Sequence, residues 1–167
     1  GQQLGNFPQA FTHLALINAV NHVIADEQRT EEDGQTAVFT QMRRRSPDDG
    51  GVAMRVACGF DHGGFALRQT IFEALADGGH EVLDLGAKSY EDGDDYPDFA
   101  LAVCRAVVAG KAERGVLVCG SGAGVAVAAN KIEGIRAAMA HDTYTAAQCV
   151  EHDACNVLAL GARVIGP

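Results

Sequence analysis

A cysteine followed by a loop of small residues has the greatest chemical potential in this chain. The sequence Cys119-Gly120-Ser121-Gly122-Ala123-Gly124 follows the apolar run 116–118 and precedes a helical pattern. Alternating glycines allow a tight turn, and the free backbone N–H groups at the start of a helix bind anions. Such groups also favour a thiolate, so Cys119 is a candidate base or nucleophile. The alternative is that Cys119 fills space in the core, as buried cysteines usually do.

The same loop disfavours a dinucleotide as the ligand. The dinucleotide-binding fingerprint needs glycine or alanine three residues after its second glycine, where this chain has Val125. No suitable acidic residue follows at the end of the next apolar run. A smaller phosphorylated ligand is therefore the better expectation.

Five further side chains are candidates, each with a structural alternative. Asp61 and His62 follow the first apolar run, although Asp61 could simply cap a helix. His152 follows the fourth helical pattern, where a histidine is more often a cap or a surface residue. Arg163 is a phosphate ligand or an ordinary solvated charge. Tyr96 is a lid over a ligand or a packed turn residue.

Short apolar runs alternate with helical patterns from residue 54 onward. The predicted strands are 55–58, 82–85, 116–119, 135–139 and 157–160, and the predicted helices are 64–77, 97–110, 123–132 and 143–151. This alternation with continuous apolar strands indicates an α/β fold with a parallel sheet covered on both faces. Ligands of such sheets bind at the carboxyl ends of the strands, where the candidate residues lie.

The chain divides into three parts by composition. Residues 1–27 predict an N-terminal helical segment, because Pro8 fits a first helical turn and the apolar side of 8–25 is broad. Residues 28–53 are polar, with three consecutive arginines and then Pro and Gly, which is typical of a linker. Residues 54–167 form the predicted α/β domain.

Composition excludes several classes of protein. With 22 acidic against 13 basic residues, the 167-residue chain has a net charge of −9, which argues against a nucleic-acid or anionic-membrane surface. No apolar run reaches the length of a membrane span. Five cysteines without CxxC spacing argue against a zinc or disulfide scaffold, and predict reduced thiols in a cytoplasmic protein without a metal site.

Read in order, the motifs of 54–166 resemble the ribose-5-phosphate isomerase B family, which includes galactose-6-phosphate and allose-6-phosphate isomerases. The matching motifs are Asp61-His62-Gly63-Gly64-Phe65, Asp95-Tyr96-Pro97-Asp98, Val118-Cys119-Gly120-Ser121-Gly122, Ala129-Asn130-Lys131, Gly134-Ile135-Arg136-Ala137, His141-Asp142-Thr143-Tyr144, Asn156-Val157-Leu158 and Gly161-Ala162-Arg163-Val164-Ile165-Gly166. Each motif alone is weak, but the ordered set is specific.

The resemblance implies a fold and an activity. The fold is a three-layer α/β/α sandwich around a five-stranded, Rossmann-like parallel sheet. The activity is the interconversion of ribose 5-phosphate and ribulose 5-phosphate through a cis-enediolate, with no cofactor. The resemblance also implies a homodimer whose active sites lie between the subunits.

The resemblance assigns roles to individual residues. Cys119 matches the base, since the glutamate of the other branch of the family would stand at Val125. Ser121 and the amides of Gly120, Gly122, Ala123 and Gly124 would hold the enediolate oxygens. His152 matches the acid that helps to open the sugar ring. The matching substrate-binding residues are Asp61, His62, Tyr96, Asp153 and Arg163.

Three departures from the family keep alternatives open. Asp153 stands where the family commonly has asparagine, and a carboxylate accepts but does not donate a hydrogen bond. Family members usually continue beyond Pro167 into a long helix with two more phosphate-binding arginines, so we expect weaker phosphate binding and impaired activity. Residues 5–19 instead resemble the closing segment of bacterial glucoamylase-like glycoside hydrolases. The alternatives are a hexose 6-phosphate isomerase and a non-catalytic sugar-phosphate-binding module of a fusion protein.

Overall fold

Five short apolar segments pair into one parallel sheet in the computed structural model, which describes residues 53–165. The strands are β1 (Arg55–Phe60), β2 (Glu81–Asp84), β3 (Arg114–Cys119), β4 (Ala137–Met139) and β5 (Val157–Gly161). Their order across the sheet is β2-β1-β3-β5-β4, and every pair is parallel. The predicted α/β sandwich with five parallel strands is confirmed.

The helices fill the connections between strands. They are α1 (Arg68–Asp77), α2 (Tyr96–Val108), α3 (Ala123–Ala129), α4 (Thr143–Glu151) and α5 (Ala162–Ile165), with a 3-10 turn over Phe65–Leu67 before α1. Two differences from the sequence prediction concern α3 and α5. Helix α3 ends three residues early because Asn130 bonds to both Ala126 O, at 3.0 Å, and Ala137 O, at 2.7 Å. The short α5 was not predicted.

Two apolar layers cover the two faces of the sheet, and alternate residues of each strand point into one or the other. The layer below α1, α4 and α5 contains Phe60, Leu67, Ile71, Leu75, Val116, Val118, Leu158 and Leu160. The layer below α2 and α3 contains Val103, Leu117, Cys119, Val125, Ala129 and Val157. Cys119 is therefore directed to the α2 and α3 side.

The strand order opens a crevice between the carboxyl ends of β1 and β3. The chain leaves β1 through α1 towards β2 on one side, and leaves β3 through α3 towards β4 on the other. At this switch point the two connections diverge, which is where parallel α/β sheets bind ligands.

The predicted N-terminal helix and most of the predicted linker lie outside the described residues, as does the segment that resembles glycoside hydrolases. These expectations stay predictions. Among residues 53–165, no helix is both long enough and apolar enough to span a membrane.

Candidate active site

A cavity of about 430 Å³ lies in the crevice at the carboxyl ends of β1 and β3. Its lining residues are Asp61, His62, Gly63, Tyr96, Cys119, Gly120, Ser121, Gly124, Arg163 and Val164. Eight of these were predicted from the sequence; the additional two are neighbours of predicted residues. The structure thus gathers side chains from four separate segments of the chain around one space.

Cys119, the last residue of β3, lines this cavity. Its side chain is buried, and its Sγ accepts a hydrogen bond from the Gly122 N–H at 3.1 Å. Ser121 Oγ accepts from the Ala123 N–H at 3.3 Å. An N–H directed at sulfur stabilises a negative charge on that atom. Gly122 and Ala123 contribute backbone only and do not line the cavity.

Close backbone packing fixes the shape of this loop. Gly122 has φ +83°, a left-handed conformation that favours glycine. A Cβ at Gly161 would lie 2.4 Å from the Ser121 carbonyl carbon, and a Cβ at Gly64 would lie 2.2 Å from Val118 O. The Cys119 loop therefore rests directly on the end of β5, and the turn after β1 rests on β3.

Asp61 fits both interpretations that the sequence offered, a residue that stabilises a turn and a residue that faces a ligand. It is 5% exposed, and its Oδ1 accepts the Gly64 N–H at 2.8 Å, which holds the turn after β1. Burial raises the pKa of Asp61, although hydrogen bonds from the backbone oppose this effect. The residue still lines the cavity, so it both builds the turn and faces a ligand.

His62 has a partner that the sequence did not reveal. Asp94 Oδ1 accepts the His62 backbone N–H at 2.9 Å and lies 2.7 Å from His62 Nδ1. This hydrogen bond raises the pKa of His62, against a smaller effect of burial. Asp94 belongs to the acidic stretch 91–95, which directly precedes α2. Nothing in that stretch distinguishes Asp94 from its acidic neighbours until the loop is folded.

Tyr96 and Arg163 both line the cavity. The Tyr96 ring lies against the start of α3, since a Cβ at Gly124 would be 3.0 Å from the ring. The Arg163 N–H donates to Gly120 O at 3.0 Å, and its guanidinium lies beside the Cys119 loop. One cation and one aromatic ring thus face a cavity that already contains a thiol and an imidazole.

His141 bonds to the end of β5, against which the Cys119 loop packs. The sequence motif did not specify this contact. The Nε2 atom of His141 accepts the Gly161 N–H at 2.9 Å, which requires that nitrogen to be unprotonated. Burial lowers the pKa of His141, while Asp142 raises it to a lesser extent. Neutral His141 therefore holds the end of β5 against which the Cys119 loop packs.

His152 and Asp153 are not brought to the cavity within one chain. They are exposed and follow α4, which runs from the carboxyl edge of the sheet back to its amino edge. There, the Arg136 side chain donates to the Asp153 carbonyl, and Asn156 leads directly into β5. Their predicted catalytic and binding roles stay predictions.

A parallel sheet with a polar cavity at its switch point defines the class of α/β proteins that bind small ligands between strand ends. Residues 56–167 match the family model described as Ribose/Galactose Isomerase. The chain belongs to this family, which confirms the sequence resemblance and the predicted enzyme class of sugar-phosphate isomerases.

Individual relatives narrow the comparison. Ribose-5-phosphate isomerase B of Escherichia coli is 44% identical over 112 residues, which are 67% of this chain and 74% of that protein. D-erythrulose-4-phosphate isomerase of Pectobacterium atrosepticum is 41% identical over 114 residues, 68% of this chain and 75% of that protein. The structure of ribose-5-phosphate isomerase B from Mycoplasma genitalium with bound ribulose-5-phosphate has a TM-score of 0.62 and 40% identity, covering 65% of this chain and 72% of that one.

Proposed function

We propose that this protein interconverts ribose 5-phosphate and ribulose 5-phosphate, with Cys119 as the base. The observation that carries the proposal is the buried Cys119 side chain, which lines the cavity and whose Sγ accepts a hydrogen bond from the Gly122 N–H at 3.1 Å. A general base must reach the proton that it removes, and a side chain at the end of a strand is held rigidly enough to do so. Val125 is buried in the apolar layer, so the position of the glutamate used by the other branch of the family has no carboxylate in this chain.

The reaction balances without an oxidant or a cofactor. Cys119 removes the proton from the second carbon of the open-chain aldose, and the electrons of that C–H bond form the carbon–carbon double bond of a cis-enediolate. The carbonyl oxygen on the first carbon becomes an enediolate oxygen. Return of the proton to the first carbon, with a hydroxyl proton moving between the oxygens, gives the ketose. Of this loop, the backbone N–H groups of Gly120, Ser121 and Gly124 and the Ser121 hydroxyl, which line the cavity, would stabilise the charge that develops.

Recognition of the phosphate would depend on two cationic side chains. Arg163 and His62 both line the cavity, although the chain as a whole has a net charge of −9. Guanidinium and imidazolium groups form charge-assisted hydrogen bonds with phosphate oxygens. A locally cationic pocket in an acidic protein attracts a small anion without attracting nucleic acid.

The proposal includes a cytoplasmic homodimer with active sites between subunits. His152 and Asp153 lie at the amino edge of the sheet, so they could reach a cavity only on a second copy. All five cysteines are free and buried, which suits a reducing compartment. His152 would then open the sugar ring in the partner's cavity.

The candidate substrates differ in the length of the sugar. The family description includes galactose isomerases, and one relative 41% identical to this chain is a D-erythrulose-4-phosphate isomerase. A panel of ribose 5-phosphate, galactose 6-phosphate and erythrulose 4-phosphate, compared by kcat/KM, ranks these substrates. Binding of all three without conversion would instead support the non-catalytic module.

Replacement of Cys119 by serine tests the base directly. We expect C119S to lower kcat by about a hundredfold or more, because a hydroxyl is a much weaker base than a thiolate. The measurements are conversion of ribose 5-phosphate and uptake of deuterium from heavy water at the transferred position. C104S is the matched control: Cys104 is fully buried in the same apolar layer but does not line the cavity. Near-normal turnover by folded C119S would refute Cys119 as the base.

A further inference from the structure

The Asp94 side chain makes two hydrogen bonds to one residue and has no other described partner. Its Oδ1 accepts the His62 backbone N–H at 2.9 Å and lies 2.7 Å from His62 Nδ1. This side chain is only 9% exposed, and its Oδ2 is buried without a hydrogen-bond partner in the described part of the chain. A buried carboxylate normally has a counter-charge, and the His62 ring is the group in contact with it.

The contact with Asp94 determines which ring nitrogen a ligand can use. Since a carboxylate only accepts, Nδ1 of His62 must carry the hydrogen, and Nε2 is the nitrogen that remains free for a ligand. The Tyr90 ring packs edge-on against His62 with centroids 6.4 Å apart, which further restricts rotation of the imidazole. His62 itself lines the cavity.

We propose that Asp94 is a positioning residue that orients His62 and holds it as an imidazolium, so that Nε2–H donates to the phosphate of the substrate. This inference rests on the proposed function, because it names the residue that prepares the phosphate site. Asp61 does not orient the His62 ring, since its Oδ1 already accepts the Gly64 N–H.

The charges around His62 agree with this role. Asp94, Asp61 and Asp92 all raise the pKa of His62, and the hydrogen bond to Asp94 is the largest contribution. The same cavity is lined by Arg163, Cys119 and Tyr96. An imidazolium there adds a second cation for the phosphate, beside Arg163. Phosphate affinity should fall as the pH rises through the raised pKa, where His62 loses its proton.

The test is the D94N variant. The amide that replaces the carboxylate keeps an oxygen for the His62 backbone N–H but removes the negative charge beside the ring. We expect the pKa of His62, followed by NMR of its ring protons, to fall towards the ordinary value. The KM for ribose 5-phosphate and the inhibition constant for inorganic phosphate should rise about tenfold at neutral pH, as loss of a charge-assisted bond implies, with kcat changed much less.

E91Q is the matched charge control. Glu91 belongs to the same acidic loop and is exposed, and its side chain accepts only from Ser89 Oγ among the described contacts. E91Q removes one negative charge without touching His62, so it should leave both the pKa of His62 and the KM close to the wild-type values. The titration of the substrate's own phosphate is common to all variants and cancels in the comparison.

Distinct outcomes separate this inference from the proposed function. An unchanged pKa of His62 in D94N, or an unchanged KM, overturns the inference even if the enzyme is an active isomerase. If no sugar phosphate is converted, the NMR titration and the binding of inorganic phosphate still decide it. If D94N fails to fold, the wild-type KM decides: it must rise with pH at the pKa that NMR gives for His62, and a flat profile overturns the inference.

Discussion

The two edges of the sheet are built in different ways. At the carboxyl edge, backbone lies directly on backbone, and a Cβ at Gly64 or Gly161 would lie within 2.4 Å of a neighbouring main-chain atom. At the amino edge, side-chain amides close the loops. Asn130 bonds to both backbone groups of Ala137, and Asn156 bonds to the Arg136 N–H and to Gly134 O.

This difference between the edges explains where the cavity lies. Glycines at the carboxyl edge let the Cys119 loop approach β5 closely and leave the cavity beside it open. The amino edge carries the exposed His152. If both edges belong to one active site, the site needs two chains.

The largest expected effect comes from mixing two inactive variants. C119S lacks the proposed base at the carboxyl edge, and H152A lacks the predicted acid at the amino edge. If each site combines Cys119 of one chain with His152 of another, a refolded equal mixture recovers about a quarter of the wild-type sites, because half of its dimers have one intact site each. The measurement is turnover of ribose 5-phosphate before and after mixing.

Two controls make this result interpretable. Each variant refolded alone should remain at its own low rate, and the mass of the assembly should be that of a dimer throughout. If a mixture that forms mixed dimers recovers no activity, His152 does not act together with Cys119 of the other chain. His152 then does not belong to the active site. His152 would then be the surface residue that its exposure alone suggests.

Glycine substitutions give the next largest effect and contrast the two edges directly. G64A at the carboxyl edge places a Cβ 2.2 Å from Val118 O, which is main chain and cannot move aside. We expect G64A to lower the free energy of unfolding by about 3 kcal/mol or more. Chemical denaturation followed by circular dichroism measures this loss.

Gly79 at the amino edge is the matched control. It has φ +76° but nothing within 4 Å of an added Cβ, so G79A adds only the conformational strain. That strain costs about 1–2 kcal/mol. Equal losses for G64A and G79A would mean that close packing does not distinguish the carboxyl edge.

Regular periodicity made the fold and most of the cavity predictable. Strands β1, β3 and β5 are largely apolar runs with a glycine at or next to their last residue, and Asp61, Cys119 and Arg163 lie at those ends. A parallel sheet brings its carboxyl ends together whatever the loops do, so local patterns were sufficient for these residues.

The contacts that the sequence did not reveal depend on loop conformation or on elements distant in the chain. Asp94 meets His62 across 32 positions, and His141 meets Gly161 across 20. Neither contact has a spacing rule, since each depends on how a non-repetitive segment folds over the sheet. His152 was expected with the other candidates at the carboxyl ends of the strands, but it lies at the amino edge, because a helix between parallel strands returns to that edge.

The smallest expected effect concerns two partly buried histidines, one at each edge. At the carboxyl edge, His141 Nε2 accepts the Gly161 N–H at 2.9 Å; at the amino edge, His80 Nδ1 accepts the Met54 N–H at a longer 3.4 Å. Near pH 7.5, we expect H141Q to lose about 1 kcal/mol of unfolding free energy, and H80Q less, because the longer bond is weaker. Urea denaturation of both variants beside the wild type measures these losses.

The pH dependence of the same measurement identifies the cause. Burial lowers the pKa of both histidines, so below about pH 6.5 the unfolded chain binds a proton more readily than the folded chain does. Stability contributed by neutral His141 is therefore present above that pH and is lost as the pH falls through its folded pKa. His62, whose pKa is raised, acts in the opposite direction in every variant and cancels in the difference. The gap between wild type and H141Q should close from pH 7.5 to pH 5, whereas a constant gap would show that His141 contributes by packing rather than by its neutral acceptor nitrogen.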